Sequence, residues 1–464
     1  MNSIKIITGA FCFTCSDEKW TGFFNIATRS NLIVELSKDI ELLKRKYPEA
    51  EIVDAAGKIV LPTFFNAHFH PEAIICRSVE PRKPISQWQE KSLLRVEAAL
   101  EAQDENFYEK LYHLAFFSGL QSGVGGIAFA VIGDEAGARG MYSAVKLTGV
   151  DVVAFAKGEQ QSSFLRRVVD RHLKTGNFVP YQKDLTLFGL SAVARSNSDS
   201  PGWIMTHTDE DEEDILTTKS NFNSDLIQLL KKSGLLSSAT VLVGLNGTPV
   251  NSLKAAKAGG ARIVLIPGKL NQPNFKSIRN IFDKYAIGSD WETPGLFAQM
   301  KKLLEFDCEP EEVLASATRV GAEMFNLSSK LGSIEVGKVA NLTFVDARKL
   351  SARRIEKLSP SESAGAFIED YTDSDVSDVM LDGEFVYRDR KLLLYHDAEL
   401  LNEEIELVEA LKKYEQNTIL VSEGKLSSPR IPETRAERPS EIEAESQKIE
   451  LPKVIRKVFG ENEF

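Results

Sequence analysis

Four cysteines in 464 residues are too few for a disulfide framework, which excludes a small cross-linked secreted scaffold and makes a reducing cytoplasm the expected location. No apolar run approaches the ~20 residues that a membrane-spanning helix needs, so no membrane partner is expected. Positive charge is short as well: 56 Lys and Arg stand against 67 Asp and Glu, for a net charge of -11. A polyanion would be repelled, and nucleic acid is therefore not an expected partner. Histidine is scarce too, with six in the chain, so the place of each one can be weighed.

The N-terminal MNSIKIITGAFCFTC has the look of a signal peptide, but it carries one early cation, lacks a leucine-rich stretch and runs into polar residues at Ser16 to Lys19. A strand is expected there instead. Cys12 and Cys15 form a C-x-x-C, yet Cys76 and Cys308 stand alone. Without a second pair, two small residues in a strand are expected rather than a zinc ribbon.

Hydrophobic residues make up 43% and charged residues 27% of the chain, the balance of an ordinary globular protein with a sizeable core. Residues 3–13, 31–36 and 51–60 pattern as strands, with a helix around 37–46. From Thr63 onward, short apolar runs alternate with amphipathic stretches. The runs are 63–67, 126–132, 150–156, 185–193, 203–206, 239–245, 262–266 and 286–288. Short apolar strands separated by helices signal a parallel sheet buried on both faces. Eight such units in about 230 residues predict an α/β fold, a (β/α)8 TIM barrel. After two more helices near 294–305 and 309–325, strand patterns return in LGSIEVGKVANLTFVD and VSDVMLDGEFVYRD. The two ends of the chain are thus expected to pair into a small β-sandwich, residues 1–61 with 332–396, flanking a barrel at 62–331. Residues 397–415 pattern as an acidic helix. Beyond Ser422 the composition cannot bury much apolar area, so the rest of 397–464 is expected to be a flexible charged tail, unless it docks on a partner.

His113, His172 and His396 fall in or beside helical, charged stretches and read as structural. His68, His70 and His207 all fall at the C-terminal ends of expected barrel strands, where barrel active sites are built. In His68-x-His70 alternate strand residues share a side, so both imidazoles can face inward and chelate one cation. H-x-H alone is a weak signal. His207 in GWIMTHTDEDEED and Asp290 in AIGSD add a third imidazole and a carboxylate from two more strand ends. That set suits one divalent cation, Zn2+ first and Fe2+ second, with room for a water.

Four segments carry a family resemblance. GKIVLPTFFNAHFHPE resembles the segment by which amidohydrolases pass from the β domain into the barrel. RSVEPRKPISQW, with Arg77 and Trp88, is similar to the next segment of the chlorohydrolase and cytosine-deaminase-like branch. MTHTDEDEED resembles that branch's H-x-x-E on strand five, and LASATRVGAEMFNLSSKLGSIEVGKVANLTFVD its closing helix and return strand. The resemblance covers residues 3–393 or so. It implies a metal-dependent hydrolase acting on carbon–nitrogen bonds of a small cyclic or amide-like molecule, as a deaminase does. His68, His70, His207 and Asp290 match its metal ligands, and Glu210 its proton-shuttling glutamate. Asp290 also matches the residue that accepts a proton from the activated water. A divalent cation lowers the pKa of water from 15.7 to about 7, and neighbouring carboxylates relay the proton. Arg77, Arg82 and Trp88 are candidates to contact a planar substrate, although a Trp so placed more often anchors the next helix.

The chain departs from that pattern twice. No Lys or Glu ends the expected fourth strand, and Lys157 belongs to the third, so one metal is expected and not two. On strand six the family presents a histidine where this chain reads TVLVGLNGTP, with Gly244 at the position. Asn246, two residues on, would face the same side as a weaker donor. Loss of one such donor typically costs ~10²–10³ in rate. The alternative is therefore a degenerate amidohydrolase-like protein that binds metal, ligand or a protein partner without turnover. A homodimer is only the default expectation.

Overall fold

The computed structural model describes residues 3–18, 21–75, 99–100, 103–180, 182, 185–199, 202–210, 212–347 and 357–422. Five strands precede the barrel: β1 (Ile4–Phe13), β2 (Thr21–Arg29), β3 (Leu32–Ser37), β4 (Glu51–Asp54) and β5 (Lys58–Pro62). Eight parallel strands come next: β6 (Phe64–Asn66), β7 (Val124–Ala130), β8 (Asp151–Ala156), β9 (Leu173–Phe178), β10 (Trp203–Thr208), β11 (Thr240–Gly244), β12 (Arg262–Leu265) and β13 (Ala286–Ile287). Four close the chain: β14 (Leu342–Asp346), β15 (Val376–Leu381), β16 (Glu384–Arg388) and β17 (Lys391–Leu392). The first five and the last four form one nine-stranded mixed sheet, joined where β5 pairs antiparallel with β14. Both ends of the chain therefore share one apolar core, which includes Ile7, Ile26, Val60, Leu342 and Met380.

The parallel strands run β6 to β13 in sequence order, with helices between them, and the ring closes on itself. Across the seam Ala67 N donates to Ile287 O (3.0 Å), Ser289 N to His68 O (3.0 Å) and His70 N to Asp290 O (2.9 Å). Strand side chains alternate as the period of two demands. Val153, Phe155, Val241 and Val243 fill the barrel, whereas Val152, Ala154 and Leu242 pack outward beneath the helices.

One expected strand is misplaced. Residues 185–193 are not the fourth strand; they open a helix, Leu187–Asp199, started by a hydrogen bond from Gly189 N to Thr186 Oγ1 (3.0 Å). The fourth strand is β9, LKTGNF, a stretch that carries no apolar run. A short apolar run cannot by periodicity alone be told from a buried helix. Gly176, which reads as a breaker, marks a close approach: a Cβ there would lie 2.5 Å from Trp203 O and 2.7 Å from the Phe155 ring. The strand still ends in Asn177 and Phe178, with no bridging Lys or Glu. His172 likewise sits in the turn before β9 and not in a helix.

The acidic C-terminal stretch forms a helix, Asp397–Ser422. Leu400, Leu407 and Leu411 bury against the outer core, and the helix packs on the helix Glu105–Gln121, which precedes β7. Glu403 faces His113 Nδ1 (3.4 Å) and accepts from Tyr395 OH (2.6 Å). No helix among the described residues is long and apolar enough to cross a membrane.

Candidate metal centre

His68 and His70 lie just past β6, His207 near the end of β10 and Asp290 just past β13. All four are buried, and one ligand atom from each lies within 4.8 Å of the others. Phe69, between the two histidines, turns into the outer core and so leaves both imidazoles on the inner side. His68 Nε2 is 3.2 Å from His70 Nε2, and each is 3.4 Å from Asp290 Oδ1. A tetrahedral cation with bonds of ~2.0–2.1 Å spaces its ligands roughly 3.3–3.4 Å apart, so these atoms fit one cation. Burial, with the neighbouring His207 second, pushes His68 down to about 3. The imidazole is neutral, as a metal ligand must be.

The surrounding groups orient the donors. His70 Nδ1 is 3.2 Å from Glu72 Oε1. Burial works against charging His70, but Glu72 and Asp290 outweigh it and raise the imidazole to about 9. The Trp291 ring stacks on His70 at 4.0 Å and 11°, and Phe178 meets His207 edge-on at 6.0 Å. His207 Nδ1 is bonded to Glu210 Oε1. Burial opposes ionisation of Glu210, but His207 and Lys269 more than compensate and hold its carboxyl at about 2.

Glu210 is placed by a tight turn. Asp209 adopts a left-handed φ of 50°; its Oδ1 accepts from Gln182 Nε2 (2.9 Å) and its Oδ2 from Thr248 Oγ1 (2.8 Å), while its N–H donates to Gln182 Oε1 (2.6 Å). Leu245 (φ 69°) and Asp290 (φ 56°) share that conformation at the ends of β11 and β13. Such strained backbone persists where surrounding bonds fix it, and here it rings the barrel mouth.

The structure brings together His68, His70, His207, Asp290 and Glu210. Asn246 lies nearby, with its Nδ2 donating to the backbone carbonyl of Glu210 (3.1 Å). Gly244 ends β11 beside Glu210: a Cβ there would stand 3.5 Å from Glu210 Cγ. Arg77, Arg82 and Trp88 lie outside the described residues. Sequence reasoning missed Glu72, Trp291 and Lys269, whose Nζ lies 2.6 Å from Asp290 Oδ2. Glu72 was open to discovery, because His68, His70 and Glu72 keep one alternating spacing. Lys269 stands after the seventh strand in a bare Pro-Gly-Lys turn with no motif around it.

Residues 59–386 match the family described as Amidohydrolase family. The chain belongs to the amidohydrolase family. By that membership it is a hydrolase of carbon–nitrogen bonds acting on a small molecule. Among curated amidohydrolase relatives it is 22% identical to 5-methylthioadenosine/S-adenosylhomocysteine deaminase of Pyrococcus abyssi, over 82% of this chain and 94% of that protein. It is also 22% identical to 5'-deoxyadenosine deaminase of Methanobrevibacter smithii, over 84% and 94%. Of the solved structures, a zinc-bound adenosine deaminase from Xanthomonas campestris superposes with a TM-score of 0.76 at 16% identity, covering 88% of this chain and 98% of that one. The zinc complex of atrazine chlorohydrolase from Arthrobacter aurescens TC1 gives 0.72 at 16% identity, covering 87% and 99%. These two likenesses establish the amidohydrolase barrel and its flanking sheet.

Proposed function

We propose that this amidohydrolase is a mononuclear zinc deaminase of an adenosine-like nucleoside. The observation that carries the proposal is the convergence of three imidazoles and Asp290 on one point, with Glu210 bonded to a ligand imidazole. The purine half of the substrate is taken from the names of the relatives, and the zinc from two of the similar structures. Iron is the second candidate metal.

His68, His70, His207 and Asp290 would hold the cation. Seated there, a divalent ion supplies a hydroxide-like nucleophile at neutral pH by lowering the pKa of water to about 7. Asp290 and Glu210 are both held ionised, so each acts first as a base. Asp290 takes a proton as water adds to the ring carbon that bears the amino group. Glu210 takes the second proton of that water and delivers it to the amine, the C–N bond breaks, the proton held by Asp290 passes to the adjacent ring nitrogen, and ammonia leaves from a ring that keeps the oxygen as a carbonyl. The stacked Trp291 and the Phe178 edge keep bulk water from the imidazoles. Free Cys12, Cys15 and Cys308 favour a reducing cytoplasm.

A second proposal, a barrel that binds without turnover, is favoured by Gly244 in place of a strand-six donor. One experiment separates the two. The purified chain is assayed for bound metal, then for ammonia release from adenosine, 5'-deoxyadenosine, 5-methylthioadenosine and S-adenosylhomocysteine, with guanine, cytosine and a triazine alongside. Release from a nucleoside that needs the metal and vanishes in Glu210→Gln supports deamination. A stoichiometrically loaded protein that releases nothing from any of them refutes it.

A further inference from the structure

Strand six ends in Gly244, which offers no side chain to the barrel mouth. Gly244 also has a φ of 96°, a conformation that L side chains rarely adopt, so no larger residue sits there comfortably. From the next strand along, Lys269 reaches the same two carboxylates. Its Nζ is 2.6 Å from Asp290 Oδ2 and 3.8 Å from Glu210 Oε2. The turn that carries it, Pro267–Lys269, is fixed from below: Gly268 N donates to Oε1 of the buried Gln299 (2.8 Å). The lysine side chain is three-quarters buried, and the compact ammonium acts there as a point charge.

Resting on the assignment of Glu210 and Asp290 as the proton-carrying pair, we propose that Lys269 is a positioning residue that does from strand seven what no residue does from strand six. The two oxygens of Asp290 are divided. Oδ1 faces His68 and His70, at 3.4 Å from each, and Oδ2 faces the ammonium. Lys269 thereby limits Asp290 to one oxygen on the metal side and holds the carboxylate in that orientation. The same ammonium stands 3.8 Å from Glu210 Oε2 and so faces both carboxylates.

This arrangement has two effects of opposite sign. A positive charge on the far oxygen of a ligand carboxylate opposes a second cation on the near oxygen. Removal of the ammonium therefore tightens metal binding while it disorders the proton-carrying pair. A lysine that served only to hold the fold would, once removed, weaken metal binding and turnover together.

The test compares Lys269→Met and Lys269→Arg with the parent chain. Zinc affinity is measured by competition with a chromophoric chelator, and kcat and KM are measured on a substrate that the parent deaminates. Lys269→Met is expected to bind zinc roughly fivefold or more tightly, from the loss of like-charge repulsion at short range. Its kcat is expected to fall ~10²-fold with KM little changed, the scale for one preorganised electrostatic group. Lys269→Arg, which keeps the charge, is expected to retain parental zinc affinity and to recover most of kcat. Zinc binding that is unchanged or weaker in Lys269→Met overturns the proposal, whether or not the parent turns anything over. If the parent proves inactive, the zinc measurement still decides the role of Lys269, and the failure falls on the deaminase assignment alone. Unchanged kcat in Lys269→Met of an active parent also overturns it.

Discussion

Glu72→Ala isolates the group that orients a ligand without touching the cation. Glu72 is 3% exposed, and its Oε1 lies 3.2 Å from His70 Nδ1. Because His70 presents Nε2 to the other ligands, Nδ1 must carry the proton for Nε2 to keep a free lone pair. Glu72 fixes that tautomer and raises the basicity of the ring. Removal of such a partner costs 10–100-fold in metal affinity, or about 1.4–2.7 kcal/mol. The upper half of that range is expected here. Trp291 covers one face of the imidazole at 4.0 Å, so water has little room to replace the lost acceptor. Glu72→Gln keeps a carbonyl acceptor and should lose no more than a few-fold. The assay is chelator competition for zinc on variants whose far-ultraviolet circular dichroism matches the parent. A Glu72→Ala protein that is folded and binds zinc within twofold of the parent refutes the orienting role.

Two further changes probe the site and its support. Gly244→His puts an imidazole at the end of strand six, but at a φ of 96° and with its Cβ 3.5 Å from Glu210 Cγ; it should cost on the order of 1–2 kcal/mol, lower the melting temperature and add no turnover, and a rise in kcat without destabilisation would contradict this. His172 ties the barrel to the flanking sheet, with Nδ1 3.2 Å from Asp151 Oδ1 on β8 and Nε2 3.1 Å from Asp382 Oδ2 after β15. Burial opposes its protonation, yet Asp151 and Asp382 raise it from 6.5 to about 9. The tie is thus complete below pH 6.5 and lost as pH climbs through 9, a contribution on the order of 1–2 kcal/mol after solvent screening. Between pH 6 and 9.5 the melting temperature of the parent should fall more steeply than that of His172→Gln; parallel curves would refute the tie.

The barrel was legible because seven of its eight strands are continuous apolar runs that end in turn residues. The fourth was not, because LKTGNF is only partly buried and its glycine serves packing against Trp203 and Phe155 rather than a turn. The convergence of the candidate ligands was legible for a geometric reason. Parallel strands of one barrel bring their C-terminal ends to one face, so residues 68, 70, 207 and 290 could be assigned to one place without any knowledge of distances. Groups that act on a ligand from the side are harder. Glu72 had an alternating spacing to betray it, whereas Lys269 reaches Asp290 through a turn geometry that no residue pattern encodes.

Three of the four candidate ligands sit on the seam of the barrel, so the ring and the candidate metal site close together. β6 and β13 are the shortest barrel strands, and past their ends they are held by the backbone bonds at Ala67, His68 and His70. Asn66 adds a side-chain clasp: its Nδ2 donates to Ser289 Oγ (2.7 Å) and Pro294 O (2.8 Å), and its Oδ1 accepts from Ser289 N (3.2 Å). Gly288 admits this approach, since a Cβ there would lie 2.5 Å from His68 O. A cation held by His68 and His70 on one side and Asp290 on the other would bridge the same gap, and its binding energy would add to the closure of the barrel. The candidate metal site is thus placed where the barrel's end strands are shortest, and a weakened seam should cost zinc affinity as directly as a lost candidate ligand does.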